Sequence, residues 1–214
     1  MKNKFKIIIT SIIVLLPILV GVAYWDELPE QIATHWGPSG EPDGWSSKAV
    51  AVFLLPLFLA VIHMICIFAT SSDKKNRHQN PKLMSITYWI TPLISLVVNG
   101  MTYADALGSD IEVIRILPII LGVIFLFIGN YLPKCTQNRT VGIRIKWTLE
   151  SEENWNATHR FGGKVLVIGA IVLLATALTP EEILAWLMIG IVLAMAAVPL
   201  IYSYCFSRKK SKKE

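Results

Sequence analysis

Six apolar runs, each about as long as a helix that crosses a bilayer, restrict what this chain can fold into. A bilayer core requires roughly 20 predominantly apolar residues per helix. Hydrophobic residues make up 54% of the 214 residues, above the roughly 45–50% of typical soluble domains. The sequence therefore predicts an all-α polytopic membrane protein with six transmembrane helices, at residues 5–25, 49–70, 85–107, 111–132, 161–178 and 183–206.

Lysine and arginine are distributed unevenly among the segments that connect these runs. Of the 20 Lys and Arg residues, only Lys48 and Arg115 fall on one side of the expected membrane. Because cytoplasmic connections carry the excess of positive charge, both termini are expected to be cytoplasmic. The net charge of +5 is then a signal of topology, and no direct contact with nucleic acid is expected.

The predicted spans divide the chain into two halves of three helices. Residues 1–107 form the first half and contain an acidic outer loop at 26–48, in which Pro and Gly favour turns and short extended pieces over a helix. Residues 108–214 form the second half, with a polar inner loop at 133–160 and a basic tail.

The inner loop is the longest polar interruption, and with the residues that follow it reads NRTVGIRIKWTLESEENWNATHRFGG over 138–163. Apolar and polar residues alternate at 140–148, which predicts an extended, strand-like segment with a basic face. Ser151 is suited to cap a helix that follows, with acidic residues in its first turn.

That helix is expected to run into the fifth membrane span. Trp155, His159 and Gly163 follow at intervals of four residues and would share one of its faces. Trp147 and Trp155 are expected at the level of the lipid headgroups. A purely structural alternative makes the whole loop an interfacial anchor, with its arginines on lipid phosphates.

The inner run, which follows IGNYLPK at the end of the fourth span, resembles the signature of the SdpI family of bacterial membrane proteins. The outer-loop run LPEQIATHWGPSGEPDGWSSK resembles a second bacterial module that often precedes that signature. The resemblance marks the following residues of the inner loop as signature positions: Asn138, Arg139, Thr140, Gly142, Arg144, Trp147, Trp155, His159 and Arg160.

Named members of the SdpI family are immunity proteins, which protect the producing cell from a secreted antimicrobial peptide toxin that collapses the membrane potential. The resemblance implies a multi-pass protein of the bacterial plasma membrane whose partners are such a toxin and the lipid bilayer. It also implies signal transduction, in which the toxin-occupied protein holds a soluble, ArsR-like autorepressor at the membrane. It implies no cofactor.

The resemblance favours the outer loop as an acidic and aromatic lid that meets a peptide arriving from outside. The candidates for toxin contact are His35, Trp36, Glu41, Asp43 and Trp45. The simpler alternative is that these side chains dock the loop onto the membrane surface. The spacing of its one histidine and its acids matches no zinc site, so no metal is expected.

Three of the polar residues inside predicted spans are candidates for function, because ionisable groups there suggest function by default. They are His63 in the second span and Asn99 and Asp105 in the third. A packing role is the simpler explanation, with Asp105 pairing to Arg115. A small transporter with a polar pathway through these residues is an alternative function.

No catalytic residues are expected, because the chain lacks a nucleophile beside a base and carries no G-x-S-x-G or H-E-x-x-H motif. Close helix packing explains the Gly162–Gly163 pair better than a phosphate loop does. Since Arg139, Arg144, His159 and Arg160 could hold a phosphate, a membrane enzyme that modifies lipid phosphates remains an alternative.

Overall fold

Six long helices dominate the fold of the protein. A computed structural model describes residues 2–109 and 112–211. Each long helix, together with its adjoining turns, is apolar enough to cross a membrane, which confirms the predicted six-span architecture. The long helices are α1 (Lys2–Ala23), α2 (Leu55–Ser72), α3 (Pro81–Ala106), α4 (Val113–Tyr131), α6 (Glu152–Thr176) and α7 (Glu181–Ser211).

A two-stranded antiparallel hairpin follows α1. Its strands are β1 (Gln31–Trp36) and β2 (Pro42–Ser47), and register shifts interrupt the pairing on both sides of His35. The sequence predicted turns and extended pieces here, and this prediction is confirmed. Ile32 anchors the hairpin, because its side chain is buried in a cluster with Leu28, Ala51, Val52 and Tyr103.

A π-helical turn (Val50–Leu54) connects the hairpin to α2. Leu55 donates its backbone N–H to the Val50 carbonyl oxygen, five residues back. Pro56 has no N–H to offer to the carbonyl four residues before it, which weakens the regular α pattern at this point.

The chain forms two compact units. The first comprises Met1–Phe68 and Ile86–Ile114, and the second comprises Ala69–Ser85 and Arg115–Glu214. The first unit contains the hairpin, and the second contains the inner loop.

In the second unit, α6 lies close against α4 at a glycine contact. A Cβ atom on Gly163 would lie 2.8 Å from the Gly129 carbonyl oxygen and 2.7 Å from Pro133 Cγ. No side chain fits there, so the close-packing explanation of the glycine pair is confirmed.

The inner loop contains a short helix where the sequence predicted a strand. Residues 141–145 are irregular, and α5 (Lys146–Glu150) follows them. Thr148 explains the difference: its Oγ1 accepts from the Ile145 N–H at 3.1 Å and lies 2.8 Å from the Ile143 carbonyl oxygen, to which it can donate. These bonds close a helical turn that the alternating pattern does not reveal, so the strand prediction is wrong.

Ser151 separates α5 from α6 in the way that the sequence predicted. Its side-chain oxygen accepts the Asn154 N–H at 3.2 Å, and Glu152 and Glu153 occupy the first turn of α6. Two short 3₁₀ turns, Lys74–His78 and Leu132–Lys134, complete the second unit.

Candidate functional site

Asn138 organises the turn at the start of the inner-loop signature. Its Oδ1 accepts the N–H groups of Thr140 at 2.8 Å and Val141 at 2.7 Å. Its Nδ2 donates to the carbonyl oxygens of Thr136 and Val141, both at 2.9 Å. Asn138 is 1% exposed, so this amide replaces the water that the turn's backbone would otherwise need.

The connection between α2 and α3 binds this turn through three polar side chains that the sequence analysis missed. Asn76 Nδ2 donates to Thr140 Oγ1 at 2.6 Å. Gln79 donates to the Thr136 carbonyl oxygen at 2.6 Å and accepts the Thr136 N–H at 3.1 Å. The third side chain is Asp73, which accepts the Arg139 N–H. The sequence signal that could have revealed these contacts was a cluster of amide side chains between two apolar runs.

Asp73 is exposed enough to titrate in water. Its Oδ2 accepts the Arg139 N–H at 2.8 Å, and its Oδ1 accepts the Lys75 N–H at 3.0 Å. The bond from the Arg139 amide is the main cause that lowers the pKa of the Asp73 carboxyl below 3.8, its ordinary value. The ionised carboxylate therefore ties the two connections together at neutral pH.

Trp155 fills the centre of the inner loop. It is fully buried, in contact with Cys135 and Leu83, and its Nε1 donates to the Cys135 carbonyl oxygen at 2.7 Å. The expectation that Trp155 lies among lipid headgroups is wrong, because the indole N–H finds its partner inside the protein. Burial also raises the pKa of the Cys135 thiol to about 11, which keeps it neutral and unreactive.

His159 lies one helical turn beyond Trp155, and the two rings stack at 4.0 Å. Its Nε2 accepts the Ile143 N–H at 3.0 Å, so its Nδ1 carries the proton and donates to the Trp155 carbonyl oxygen at 2.8 Å. Both nitrogens of this buried imidazole are thus occupied. The predicted shared face of Trp155, His159 and Gly163 is confirmed, since all three are buried.

Gly142 passes directly over these rings. A Cβ atom on it would lie 2.4 Å from His159 Nε2 and 3.2 Å from Trp155 Cζ2. Its φ of 109° is also a conformation that L side chains rarely adopt. Glycine is therefore required at this signature position for two independent reasons.

The three arginines of the signature remain on the surface. Arg139, Arg144 and Arg160 are all exposed, and Arg144 donates to the Arg139 carbonyl oxygen at 2.8 Å. Because His159 is buried and its nitrogens are engaged, it does not join the arginines as a fourth phosphate ligand. Trp147 is half-buried against Tyr204, with ring centroids 5.1 Å apart.

A buried polar cluster, also missed by the sequence analysis, joins α6 to the end of α7. Asn154 Nδ2 donates to the Ser203 carbonyl oxygen at 3.0 Å. Ser203 Oγ and Thr158 Oγ1 donate to Asn154 Oδ1 at 2.7 Å and 2.8 Å. Every polar atom of this cluster is paired, which fixes the register of the two helices.

The hairpin presents the outer-loop candidates mostly to solvent. The side chains of His35 and Asp43 are 74% and 51% exposed, and His35 Nδ1 pairs with Asp43 Oδ1. Trp45 is 57% exposed, Glu41 is exposed, and Trp36 is half-buried. The hairpin therefore places acid and aromatic groups on a surface of the first unit.

Lys48 attaches the base of the hairpin to the end of α1. Its buried ammonium donates to the Trp25 carbonyl oxygen at 3.0 Å and lies 5.2 Å from the Trp25 ring centroid. It also pairs with Glu30 at 3.2 Å. The only Lys or Arg of the outer loop is thus used inside it, beside Glu30, so it does not neutralise Glu41 or Asp43.

His63 and Asn99, inside spans of the first unit, are buried. Thr10 Oγ1 lies 3.0 Å from His63 Nε2 and donates to the Lys6 carbonyl oxygen at 2.8 Å. Asn99 Nδ2 donates to the Ser95 carbonyl oxygen at 2.8 Å, one turn earlier in α3. These contacts favour the packing explanation for both residues.

The suggested pairing of Asp105 with Arg115 joins residues of different units and stays a prediction. Within the second unit, Arg115 pairs with Glu181 at 3.0 Å and donates to the carbonyl oxygens of Ala177 and Thr179. It thereby ties the start of α4 to the turn between α6 and α7. Asp105 makes no ion pair within the described part of its own unit.

Across residues 2–109 and 112–211, no group of three or more His, Cys, Asp or Glu side chains is arranged to hold a metal ion. The described residues form an exposed hairpin, an inner loop with a buried centre and six helices apolar enough to cross a membrane. This combination defines a multi-pass membrane protein.

Comparison with known proteins shows which family the chain resembles. Residues 134–203 match the model of the SdpI/YfhL protein family, and residues 12–60 match a domain of unknown function. The chain is 27% identical over 208 residues to Immunity protein SdpI of Bacillus subtilis (strain 168), covering 95% of this chain and 97% of that protein. The resemblance to the SdpI family predicted from the sequence is thus confirmed. No solved structure gives a significant match.

Proposed function

We propose that this protein is an immunity protein, which protects the cell that carries it from a secreted antimicrobial peptide toxin. The observation that carries the proposal is similarity along almost the full length to Immunity protein SdpI. It includes both the inner-loop signature and the hairpin segment, so the similarity does not reduce to shared apolar composition. A role through binding, without catalysis, agrees with the engaged nitrogens of His159.

The hairpin is the part of the first unit that we assign to toxin contact. Trp45 offers a large exposed aromatic surface, and aromatic residues dominate the energetics of many interfaces. The neighbouring acids Glu41 and Asp43 add a negative field that Lys48 does not neutralise. The buried Ile32 holds the hairpin in place, so that binding does not require the hairpin to order first.

Both termini are assigned to the cytoplasm, with the hairpin outside. The support is the distribution of Lys and Arg in the sequence. In a background with Cys66 and Cys205 replaced by Ser, a membrane-impermeant maleimide is expected to label Ser39→Cys in intact cells and Glu150→Cys only after permeabilisation. The reverse pattern would overturn the assignment.

A signalling role belongs to the same proposal: toxin-bound protein would hold a soluble, ArsR-like repressor at the membrane through the inner loop. Its available charges are the exposed Arg139, Arg144 and Arg160, since most other signature side chains are used within the loop. Membranes containing the chain should then sediment such a repressor only when toxin is present. Arg144→Ala with Arg160→Ala should weaken sedimentation.

Survival of a sensitive bacterium tests the immunity role. Cells expressing the chain should survive a toxin concentration that kills cells without it, and equal killing would reject the proposal. Trp45→Ala should lower the tolerated toxin concentration about tenfold, since one interface aromatic contributes on the order of 1–2 kcal/mol. Trp186→Ala, which removes another exposed tryptophan far along the chain, is the matched control. If Trp45→Ala protects fully, only the proposed toxin contact of the hairpin is rejected, and the immunity role stands.

A further inference from the structure

The end of α7 carries a basic and aromatic cleft that the proposed function does not use. Its volume is about 600 Å³, and it is lined by Tyr204, Cys205, Arg208 and Lys209. All four of these residues are exposed. None of them belongs to the inner-loop signature or to the hairpin.

Arg208 is held in position within this cleft. Its Nε donates to Tyr204 Oη at 3.0 Å, and its guanidinium carbon lies 5.6 Å from the Tyr204 ring centroid. The terminal nitrogens of the guanidinium make no hydrogen bond to the described residues. They therefore present a planar pair of donors to a ligand, a geometry that matches phosphate oxygens.

The position of the cleft along α7 indicates that its ligand is the phosphate of a lipid headgroup. The helix has 31 residues and is about 46 Å long, so it exceeds the roughly 30 Å of a bilayer core. Ile201 is 60% exposed and lies on the helix face of Tyr204 and Arg208. An exposed apolar side chain thus adjoins the cationic cleft at the expected headgroup depth.

We propose that this cleft binds the phosphate of an anionic phospholipid, with an acyl chain against Ile201 and the phosphate on Arg208 and Lys209. The exposed Ile201 beside the cleft favours a lipid over a free phosphate ion, because a lipid can pack an acyl chain against it and a phosphate ion cannot. Because Tyr204 also packs against Trp147 of α5, the bound lipid braces the short helix of the inner loop.

Native mass spectrometry of the purified full chain tests the proposal, with phosphatidylglycerol and phosphatidylcholine as the lipid probes. The wild-type chain should retain phosphatidylglycerol preferentially. Arg208→Gln with Lys209→Gln should lower that retention at least roughly fivefold, because each cation near an anionic headgroup contributes to binding. Lys74→Gln with Lys75→Gln, two exposed lysines just after α2, is the matched control and should retain the lipid.

Unchanged retention by the Arg208 and Lys209 variant, equal loss in the control, or equal retention of phosphatidylcholine would overturn the proposal. Thermal unfolding separates the two sources of phosphate: phosphatidylglycerol should raise the unfolding temperature, and inorganic phosphate without lipid should not. Equal stabilisation by inorganic phosphate would show a free-anion site instead. If the double variant does not fold, Tyr204→Phe provides the test, since it removes only the hydroxyl that orients Arg208 and should also reduce retention.

Discussion

Trp155 donates its indole N–H to the carbonyl oxygen of Cys135 at 2.7 Å, inside a cluster from which solvent is excluded. This bond joins the first residues of the inner loop to α6, the helix that carries the last three signature positions. We expect Trp155→Phe to destabilise the protein by about 1–3 kcal/mol, because it leaves a buried acceptor without its donor. Thermal unfolding in detergent measures the effect.

Trp147→Phe is the control for that substitution, since Trp147 is half-buried and its ring contact with Tyr204 survives in phenylalanine. It should change the unfolding temperature much less than Trp155→Phe. Equal effects of the two substitutions would contradict the structural importance of the indole bond.

Gly142 provides a second test of the inner loop. Gly142→Ala should destabilise the loop by at least about 1–3 kcal/mol, because the new Cβ meets His159 and the backbone conformation becomes strained. Gly100→Ala, where a Cβ meets nothing within 4 Å, should be neutral or slightly stabilising in the interior of α3. Amide hydrogen exchange at Ile143 reports the local loss, and unchanged protection in Gly142→Ala would refute the prediction.

The lowered pKa of Asp73 gives a pH dependence with a definite sign. The folded state favours the ionised carboxylate, so its contribution is present above 3.8 and is lost as the pH falls through the lower folded-state value. Protection of the Arg139 amide should therefore decrease as the pH is lowered below about 4. In Asp73→Asn this acid-dependent step should disappear, and its persistence would assign the titration to another group.

Substitutions at Thr10 and His63 test whether the buried His63 serves packing or transport. Because the Thr10 hydroxyl donates to the Lys6 carbonyl, it accepts the His63 Nε2 proton. Thr10→Ala strands that N–H in an apolar span and should cost about 1–3 kcal/mol. Adding His63→Leu should recover part of the loss and leave toxin protection intact. Loss of protection in a folded His63→Leu variant would contradict the packing explanation, and loss of solute transport with protection intact would favour a polar pathway.

Much of the architecture could be predicted from the sequence, because membrane helices are recognised by the length and apolarity of their segments. The six spans and the Ser151 cap followed from local patterns alone. The extended segment at 140–148 was misjudged because Thr148 closes a helical turn through its side chain. A period-two pattern carries no information about such a bond.

The candidate site was predicted less completely than the fold. The signature positions Asn138, Trp155 and His159 were named, but their backbone partners, the carbonyl oxygens of Thr136, Cys135 and Trp155 respectively, were not. Asp73, Asn76 and Gln79 were missed because they lie about 60 residues before their partners. Pairings at that separation depend on tertiary packing, which neither composition nor periodicity encodes.

The membrane potential of toxin-challenged cells tests the immunity role most directly. A potential-sensitive dye should show that cells without the chain depolarise when toxin is added, whereas cells expressing it keep their potential. Trp45→Ala should shift the toxin concentration for half depolarisation towards that of unprotected cells, and Trp186→Ala should not. Depolarisation at the same toxin concentration with and without the chain would contradict the proposed function.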